Sequence, residues 1–474
     1  MNMHSVDPEY IDYLHDESLW NGSAEKIAFV RTATDVVDLL KNQQSLTIQG
    51  ARTGITGGCV PQGGIILNTS KMREIGEVEQ GFLTVQPGAS LLHIREKLKD
   101  TDWFFPPDPT ETTASIGGMI ANNASGARSF HYGATRNWIQ KMDVVLANGE
   151  KISLERGVHQ ADGRRFKIGS FSGKFPSIEP RTKKNAAGYF IRPNMDLIDL
   201  FIGSEGSLGI ITQATLKVCK KPNQTTGFVP FFSSEKEALE WVRLLKEKYA
   251  PLSIEFFDAA SLRFLQKTVV SDLLPPKEAQ SALFFEYEDQ IPTALIDRLD
   301  EDALTCWIAE TDVEKERLNA FRHALPEAVN QQMARYKKTV PELTKLGTDM
   351  AVCEGQMEQA IELYRSDLKK EKLEHVIFGH IGDNHLHVNI IPKTLEEYTR
   401  GKECYQKWAQ QIIQWGGTIS AEHGVGKLKT KLFKMMYSSA EYQGMYKLKH
   451  LFDPLNLLNP NTLFDLSGRS EHKK

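Results

Sequence analysis

The chain has 474 residues, of which 41% are hydrophobic and 25% charged, and its formal net charge is -4. This length exceeds one ordinary core and predicts two domains in a soluble globular protein. The nearly balanced charge disfavours a broad basic surface for nucleic acid. The first residues lack the basic and apolar regions of a secretory signal, and no apolar run reaches the ~20 residues that span a membrane.

The cysteines lie far apart along the chain and form no CxxC pair: Cys59, Cys219, Cys306, Cys353 and Cys404. This spacing excludes a local iron–sulfur or zinc-knuckle cluster. Isolated thiols are typical of a reducing compartment, so we expect a cytoplasmic protein. Peripheral association with a membrane leaves no signal in the sequence and stays open.

The first two hundred residues alternate short β-rich runs with Gly-rich turns. Periodicity predicts two helices and three strands in chain order: helices at 33–44 and 90–100, and strands at 45–50, 63–70 and 81–88. The pair Asn148-Gly149 between apolar runs predicts a hairpin. Residues 155–195 are rich in Gly, Lys, Arg, Ser and Pro, and we predict a long excursion over the surface.

The character of the chain changes near residue 222, after KVCKKPNQTTG. Helical and strand-like runs then alternate, and a long helix is predicted from about Asp312. This alternation predicts an α+β layer with helices on one face of a sheet. The last stretch, DPLNLLNPNTLFDL, is rich in Pro and Asn and is expected to pack back on the first domain.

Two Gly-rich segments attract attention, GARTGITGGCVPQGG (50–64) and PPDPTETTASIGGMIANNASGARSFHYG (106–133). Small residues let backbone N–H groups approach a pyrophosphate closely. The alternative is that both segments are tight turns between strands. Neither contains the GxGxxG of a Rossmann unit with its acidic partner, and the chain lacks the GxxxxGK[ST] of a P-loop NTPase.

A third segment, GSEGSLGI (203–210), leads into the apolar run IITQATLKV. Together with ARTGITGG and PPDPTETTASIGGMIANNASG, it resembles the FAD-binding domain of the vanillyl-alcohol-oxidase (PCMH) type, in that family's order and spacing. The resemblance implies an α+β protein in which two small α/β subdomains clamp an extended FAD. It also implies three parts: an FAD-binding domain at 1–222, an α+β substrate or cap domain at 223–425, and a C-terminal helical segment at 426–474.

The same resemblance implies the cofactor site. Thr56 stands where many relatives carry a histidine bonded to the flavin, so we expect non-covalent FAD. The implied FAD-binding residues are Arg52, Thr53, Gly54, Ile55, Thr56, Gly57, Pro109, Thr110, Ser115, Gly117, Gly118, Asn122, Ser125, Gly126, Tyr132, Glu205, Gly206, Gly209, Ile210 and Ile211.

A second constellation lies beyond residue 370, where EHVIFGHIGDNHLHVNII carries four histidines. Strand alternation puts His385, His387 and Asn389 on one face. Glu422 and His423 follow in a Gly-flanked turn. Two imidazoles and a carboxylate suit a divalent transition metal with open positions for substrate oxygens. The alternative for any single histidine is a hydrogen-bonded core residue.

FGHIGDNHLHVN, AEHGVGK and FDPLNLLNP resemble the C-terminal half of flavin-linked D-lactate, glycolate and D-2-hydroxyglutarate dehydrogenases, and the likeness spans about residues 25–465. It implies a metal, expected to be zinc, on His380, His387 and Glu422. It implies His423 as the general base. The usual Gly-Asn pair is replaced here by Asn384-His385, and His385 could be an extra ligand, a tuning neighbour or a simple variant, which leaves the metal's identity open.

A guanidinium or ammonium is expected to bind the substrate's carboxylate. The resemblance implies Arg322 and Lys345 in that role, and Asn389 joins the predicted catalytic set. The alternative is that Arg322 and Lys345 are solvated surface charges. Pro326 stands where relatives that prefer a dicarboxylate have threonine, which weakens 2-hydroxyglutarate as the substrate.

The expected activity is therefore oxidation of a small D-2-hydroxy acid by FAD, with electrons leaving to an external quinone, electron-transfer flavoprotein or cytochrome. Competing hypotheses are an FAD enzyme acting on glycolate, D-2-hydroxyglutarate or a non-acid alcohol, a metal-dependent hydrolase, and a non-catalytic redox subunit. The sequence does not name the hydroxy acid or show whether oxygen is used, and a homodimer stays open.

Overall fold

A computed structural model describes residues 1–268, 274–288 and 291–466. Residues 467–474 of the predicted C-terminal segment lie outside these ranges. The strands are β1 (Asn2–Ser5), β2 (Lys26–Phe29), β3 (Leu46–Gln49), β4 (Ile65–Asn68), β5 (Ile75–Glu79), β6 (Phe82–Val85), β7 (Trp103–Phe104), β8 (Ile139–Val145), β9 (Lys151–Glu155), β10 (Arg165–Ile168), β11 (Phe171–Lys174), β12 (Ile210–Lys217), β13 (Cys219–Lys220), β14 (Thr225–Phe232), β15 (Ser253–Asp258), β16 (Ser281–Glu288), β17 (Thr305–Ala309), β18 (Leu346–Gly347), β19 (Met350–Ala351), β20 (His375–Gly379) and β21 (His385–Ile390).

The α-helices are α1 (Ala33–Leu40), α2 (Leu91–Leu98), α3 (Ile116–Asn122), α4 (Ser129–Tyr132), α5 (Glu235–Leu244), α6 (Ala259–Thr268), α7 (Thr293–Asp302), α8 (Asp312–Lys337), α9 (Met357–Glu371), α10 (Leu395–Gln414), α11 (Thr430–Met436) and α12 (Ser439–Phe452). The helices predicted at 33–44 and 90–100 and the long helix from Asp312 are confirmed. Among the described helices, none combines the length and apolar character that crossing a membrane requires.

Two sheets form the N-terminal half. A four-stranded sheet has the order β1-β2-β4-β3, with β2, β4 and β3 parallel, and α1 makes the connection from β2 to β3. A five-stranded antiparallel sheet has the order β5-β6-β12-β8-β9. The predicted hairpin at Asn148-Gly149 is confirmed as the β8–β9 pair, and Gly149 adopts the positive φ that this turn needs.

The segment at 155–195 differs from the prediction. It contains the β10–β11 hairpin, and most residues from 182 to 191 are buried rather than spread over the surface. Lys184 is 7% exposed because its ammonium pairs with a buried carboxylate of the C-terminal half. The polar composition of this segment had predicted an exposed position, so the buried ion pair of Lys184 was not predicted.

The C-terminal half is built on an eight-stranded antiparallel sheet with the order β17-β14-β16-β15-β20-β21-β18, and β19 pairs with β21. Both faces are covered, since the consecutive Phe284 and Phe285 enter different hydrophobic cores. Helix α8 packs on one face through Leu318, Phe321 and Leu325. Strand β15 carries Glu255, His380 directly follows the adjacent β20, and β21 carries His385 and His387.

The chain returns to the N-terminal half after α12. Leu46 N–H donates to Leu457 O (2.6 Å), and Asn459 N–H donates to Leu46 O (2.9 Å), which places residues 457–459 beside β3. The α+β class is confirmed by these sheets and helices, whereas the limits predicted at residues 222 and 425 stay predictions.

Candidate active site

A long cleft runs between the Gly-rich loops of the N-terminal half and the histidine-bearing loops of the C-terminal half. Its walls are largely backbone and small side chains, with glycines contributed by all three predicted segments: Gly50, Gly54, Gly58, Gly117, Gly118, Gly126, Gly206 and Gly209. A cleft of this kind suits an extended, phosphate-containing ligand, because backbone amides can approach it without a Cβ in between.

The structure brings most of the predicted FAD-binding residues to this cleft. The residues that line it are Arg52, Thr53, Gly54, Ile55, Thr56, Pro109, Thr110, Ser115, Gly117, Gly118, Asn122, Ser125, Gly126, Glu205, Gly206, Gly209 and Ile211.

Three predicted residues lie outside the lining. Gly57 has a φ of +70°, and a Cβ there would come 2.8 Å from the ring of Trp20. Ile210 is buried in the core between the two N-terminal sheets. Tyr132 hydrogen-bonds to Glu288 of β16. All three have packing or linking positions in this structure.

Asp16 and Asn459 are among the cleft residues that were not predicted. Asp16 comes from the segment before β2 and is 2% exposed. Asn459 accepts from Ile48 N–H (2.7 Å) and donates to Glu205 O (2.7 Å), which joins the C-terminal segment to two cleft walls. No spacing signal marks Asp16, while the Pro/Asn-rich run around Asn459 was noted only as a packing segment.

Glu205 attaches the loop that carries Glu422 and His423. Its carboxylate accepts from Val425 N–H (2.8 Å) and Gly426 N–H (2.7 Å). Burial raises the pKa of Glu205 to about 7, although those two hydrogen bonds oppose the shift. These hydrogen bonds hold one end of the cleft against the GSEGS turn. We call this end, which carries Glu422 and His423, the chemical end.

Four donors converge at that end of the cleft. One ligand atom from each of His380, His385, His387 and Glu422 lies within 4.8 Å of the others. His380 Nε2 lies 3.1 Å from Glu422 Oε1, and His387 Nε2 lies 3.8 Å from Glu422 Oε2. Both ring nitrogens of the fully buried His385 lack a hydrogen-bond partner within the part of the chain that the structure describes. Imidazole and carboxylate donors in this arrangement fit a divalent transition metal.

Burial and neighbouring charges shift these groups in different directions. Burial lowers the pKa of His380, but the carboxylates of Glu255 and Glu422 outweigh it and raise that pKa to about 9. Burial lowers the pKa of His387 to about 3, and the adjacent His385 adds to the shift. The cluster therefore includes a neutral imidazole ready to bind a cation.

Glu422 is held as an anion although it is 8% exposed. Burial raises its pKa, but His380 and Lys184 keep that pKa well below the usual range. Lys184 forms an ion pair with Glu422, and Ser125 Oγ–H donates to Glu422 Oε1 at 3.1 Å. Because Ser125 belongs to the second Gly-rich segment, the carboxylate bridges the two halves of the site.

Asp349 organises the turn that carries His423. Its carboxylate accepts from the backbone N–H groups of Ala421, Glu422 and His423 at 3.1–3.2 Å. It also lies 3.1 Å from His423 Nδ1 and 2.7 Å from Lys429 Nζ. The carboxylate of Asp349 therefore lies against the Nδ1 side of the His423 ring.

The predicted carboxylate-binding residues lie at different distances from the histidine cluster. Arg322 Nε lies 4.0 Å from Glu255 Oε2, beside the His380 contact, and its side chain is 11% exposed. Lys345 is exposed and donates a 2.8 Å hydrogen bond to Asn330. Asn389 is buried on β21, opposite Gly347. The structure therefore brings Arg322 to the cluster and leaves Lys345 at the sheet edge.

Sequence reasoning missed the outer partners of the cluster. Glu255 lies with Asp258 in the otherwise mainly apolar strand SIEFFD, where charged residues within a β-run were an available signal. Asp349 lies in TKLGTDMAV, four residues after the predicted Lys345. Lys184 lies in a stretch of many lysines and arginines, where composition favours the surface.

Comparison with known families agrees with this geometry. The family described as "FAD linked oxidases, C-terminal domain" matches residues 221–463, and "FAD binding domain" matches residues 24–155. The chain belongs to the FAD-linked oxidase family. FAD is accordingly its cofactor, and the protein is an FAD-linked oxidoreductase rather than a hydrolase.

Relatives of this FAD-linked oxidase align over most of its length. The glycolate oxidase subunit GlcD of Bacillus subtilis is 29% identical, over 89% of this chain and 84% of its own. The D-lactate dehydrogenase of Anaerostipes hadrus is 28% identical, over 95% and 92%. The probable mitochondrial D-lactate dehydrogenase of Danio rerio is 30% identical, over 88% and 79%. The resemblance to flavin-linked 2-hydroxy-acid dehydrogenases is confirmed.

Among solved structures, alkyldihydroxyacetonephosphate synthase superposes with a TM-score of 0.63 at 16% identity, covering 97% of this chain and 82% of that chain. Identity this low supports the fold alone. With the family match, it confirms the PCMH-type FAD domain joined to an α+β cap domain.

Proposed function

We propose that this FAD-linked oxidase converts a small D-2-hydroxy acid, of the size of D-lactate, to the 2-oxo acid. The observation that carries the proposal is that His380, Glu422 and His423 line the same cleft as the Gly-rich FAD loops. Relatives named D-lactate dehydrogenase, glycolate oxidase subunit and D-2-hydroxyglutarate dehydrogenase support this substrate class.

Oxidation of the hydroxy acid removes a proton from its hydroxyl and a hydride from C2, and different groups of the site serve these two steps. FAD, held non-covalently because Thr56 replaces the flavin-linking histidine of relatives, supplies the two-electron acceptor when bound. A divalent metal on His380, His387 and Glu422 would bind the substrate oxygens and lower the pKa of its hydroxyl. The unpartnered ring nitrogens of His385 and the converging donors support such an ion.

His423 is the proposed general base. Asp349 Oδ2 lies 3.1 Å from its Nδ1, so the carboxylate orients the ring and stabilises the imidazolium after Nε2 has taken the hydroxyl proton.

Arg322 is proposed to neutralise the substrate carboxylate from the α8 side of the cluster. Its guanidinium is nearly buried, and a desolvated guanidinium binds a carboxylate strongly. Asn389 offers a buried amide on the same strand face as His385 and His387. Lys345, at the edge of the sheet, is proposed only as an outer contributor.

Anaerobic mixing with matched D- and L-2-hydroxy acids tests the proposal. We expect D-lactate, or the achiral glycolate, to bleach the flavin absorption, and L-lactate to leave the flavin oxidised. A chelator added beforehand should slow the bleaching, and restored metal should reverse that effect. Flavin that no 2-hydroxy acid reduces would contradict the proposal.

The electrons are proposed to leave the reduced flavin for an external quinone, electron-transfer flavoprotein or cytochrome. We propose a cytoplasmic location, with docking at the membrane surface when the acceptor is a quinone. Reoxidation of photoreduced protein by a soluble quinone, compared with reoxidation by oxygen, distinguishes these acceptors.

A further inference from the structure

The environment of His385 is unusual for a core histidine. The side chain is 0% exposed, and neither ring nitrogen has a hydrogen-bond partner among the described residues. A buried polar group without a hydrogen bond is destabilising, so a polar or charged partner is expected at this position.

The neighbouring histidines show a common arrangement. His380 Nδ1 lies 2.6 Å from Glu255 Oε1, and His387 Nδ1 lies 3.1 Å from the carbonyl oxygen of Thr348. In each case an outer oxygen holds one ring nitrogen and leaves Nε2 directed at Glu422. Metal-binding histidines are oriented in this way, since the outer hydrogen bond selects the tautomer.

His385 has the same arrangement, except that Nε2 faces the outer oxygen and Nδ1 faces Glu422. Its Nε2 lies 3.4 Å from Asp349 Oδ1, which is an outer carboxylate, and its Nδ1 lies 4.0 Å from Glu422 Oε2. The ring centroid is 4.5 Å from that of His387 and 5.6 Å from that of His380. Three imidazoles therefore each direct one nitrogen toward the same carboxylate.

We propose that His385 is a fourth protein ligand, which makes the centre a three-histidine, one-carboxylate site. The inference rests on the proposed function, because it concerns the metal that binds the hydroxy acid. A site with three histidines has one more protein ligand than a site with two, and this difference affects which ion the site prefers. Four protein donors complete the tetrahedral shell that zinc prefers and leave no position for a substrate.

A substrate that chelates through its hydroxyl and carboxylate needs two further positions, for six in all. The site therefore suits an ion that readily takes six ligands, such as iron(II), cobalt(II) or manganese(II), rather than zinc. Imidazole-rich donor sets also favour iron and cobalt over the hard ions magnesium and calcium.

Cobalt(II) titration of the FAD-loaded protein tests the ligand assignment. H385N is compared with H375N, because His375 lies at the start of β20, where its Nδ1 contacts the carbonyl oxygen of Leu373. We expect H385N to raise the Kd for cobalt(II) about tenfold or more, in line with the loss of one ligand, and H375N to leave it unchanged. Equal cobalt(II) affinity in H385N and the wild type would overturn the assignment.

A second measurement does not depend on a variant that folds. X-ray absorption of the wild-type cobalt(II) protein should count three imidazoles, and its visible d–d bands should be weak, as for six-coordinate cobalt. Two imidazoles, or the intense bands of tetrahedral cobalt, would overturn the proposal. A three-imidazole site whose flavin no hydroxy acid reduces would support His385 as a ligand and contradict only the proposed function.

Discussion

The two ends of the cleft are built by different means. The dinucleotide end is made of glycines and backbone amides on three loops, whereas the chemical end is made of buried ionisable side chains that contact one another. Backbone sites depend on local conformation, so they leave runs of small residues in the sequence. Side-chain networks depend on residues brought together from distant strands, so they leave few local marks.

The largest expected effect lies at the chemical end. H423A should slow anaerobic flavin reduction by roughly 10²- to 10⁴-fold, because the general base is lost. FAD content should remain that of the wild type, since the dinucleotide loops are untouched. Stopped-flow absorbance follows the reduction, with H375A as the matched control. Normal turnover of H423A would remove this assignment.

Substitutions of Arg322 and Lys345 compare a residue beside the metal-binding cluster with a residue at the edge of the sheet. R322M should raise KM roughly 10- to 100-fold, because a hydrogen bond between charged groups contributes about 1.5–3 kcal/mol. K345M should have a smaller effect, because Lys345 is exposed and bonded to Asn330. Steady-state kinetics of both variants check the ranking, and equal losses would show that the sheet edge also contacts the substrate.

Gly54 tests the dinucleotide end. Among the described residues, a Cβ at this position meets no atom nearer than Asp16 Oδ2 at 3.9 Å, and Gly54 lines the cleft. G54A should therefore keep the stability of the FAD-free protein and raise the Kd for FAD about tenfold or more. Urea unfolding and fluorescence titration measure the two quantities.

Gly173 provides the control for G54A, since it lies on β11 outside the cleft. G173A should leave the Kd for FAD unchanged. A G54A protein that binds FAD normally would contradict the backbone cradle at this loop.

The smallest expected effect is the pH dependence carried by Glu205. Its folded pKa of about 7 lies above the usual value near 4.3, so the folded state holds a proton that the unfolded state releases. That stabilisation is present below the unfolded value and is lost as the pH rises to about 7. E205Q carries no such proton, so wild type should lose up to about 1.4 kcal/mol per pH unit relative to E205Q between pH 5 and 7.

Urea unfolding of the FAD-free proteins at pH 5, 6 and 7 measures this difference. An unfolding free energy that changes in parallel for wild type and E205Q would show that Glu205 is ionised in the folded protein throughout this range.

The same contrast explains what could be predicted from the sequence. The Gly-rich loops, the β8–β9 hairpin, the long helix from Asp312 and the strand face that carries His385 and His387 all follow from local periodicity or turn chemistry. Lys184, Glu255 and Asp349 do not, because each is a single charged residue whose partner is more than seventy positions away, as in the contact of Asp349 with His423. Their burial depends on that partner.

Asp349 serves two neighbours with different duties, because one oxygen faces His385 and the other faces His423. A single carboxylate thus connects the proposed metal-binding ring with the proposed proton-accepting ring. We therefore expect a substitution of Asp349, such as D349N, to weaken metal binding and proton abstraction together.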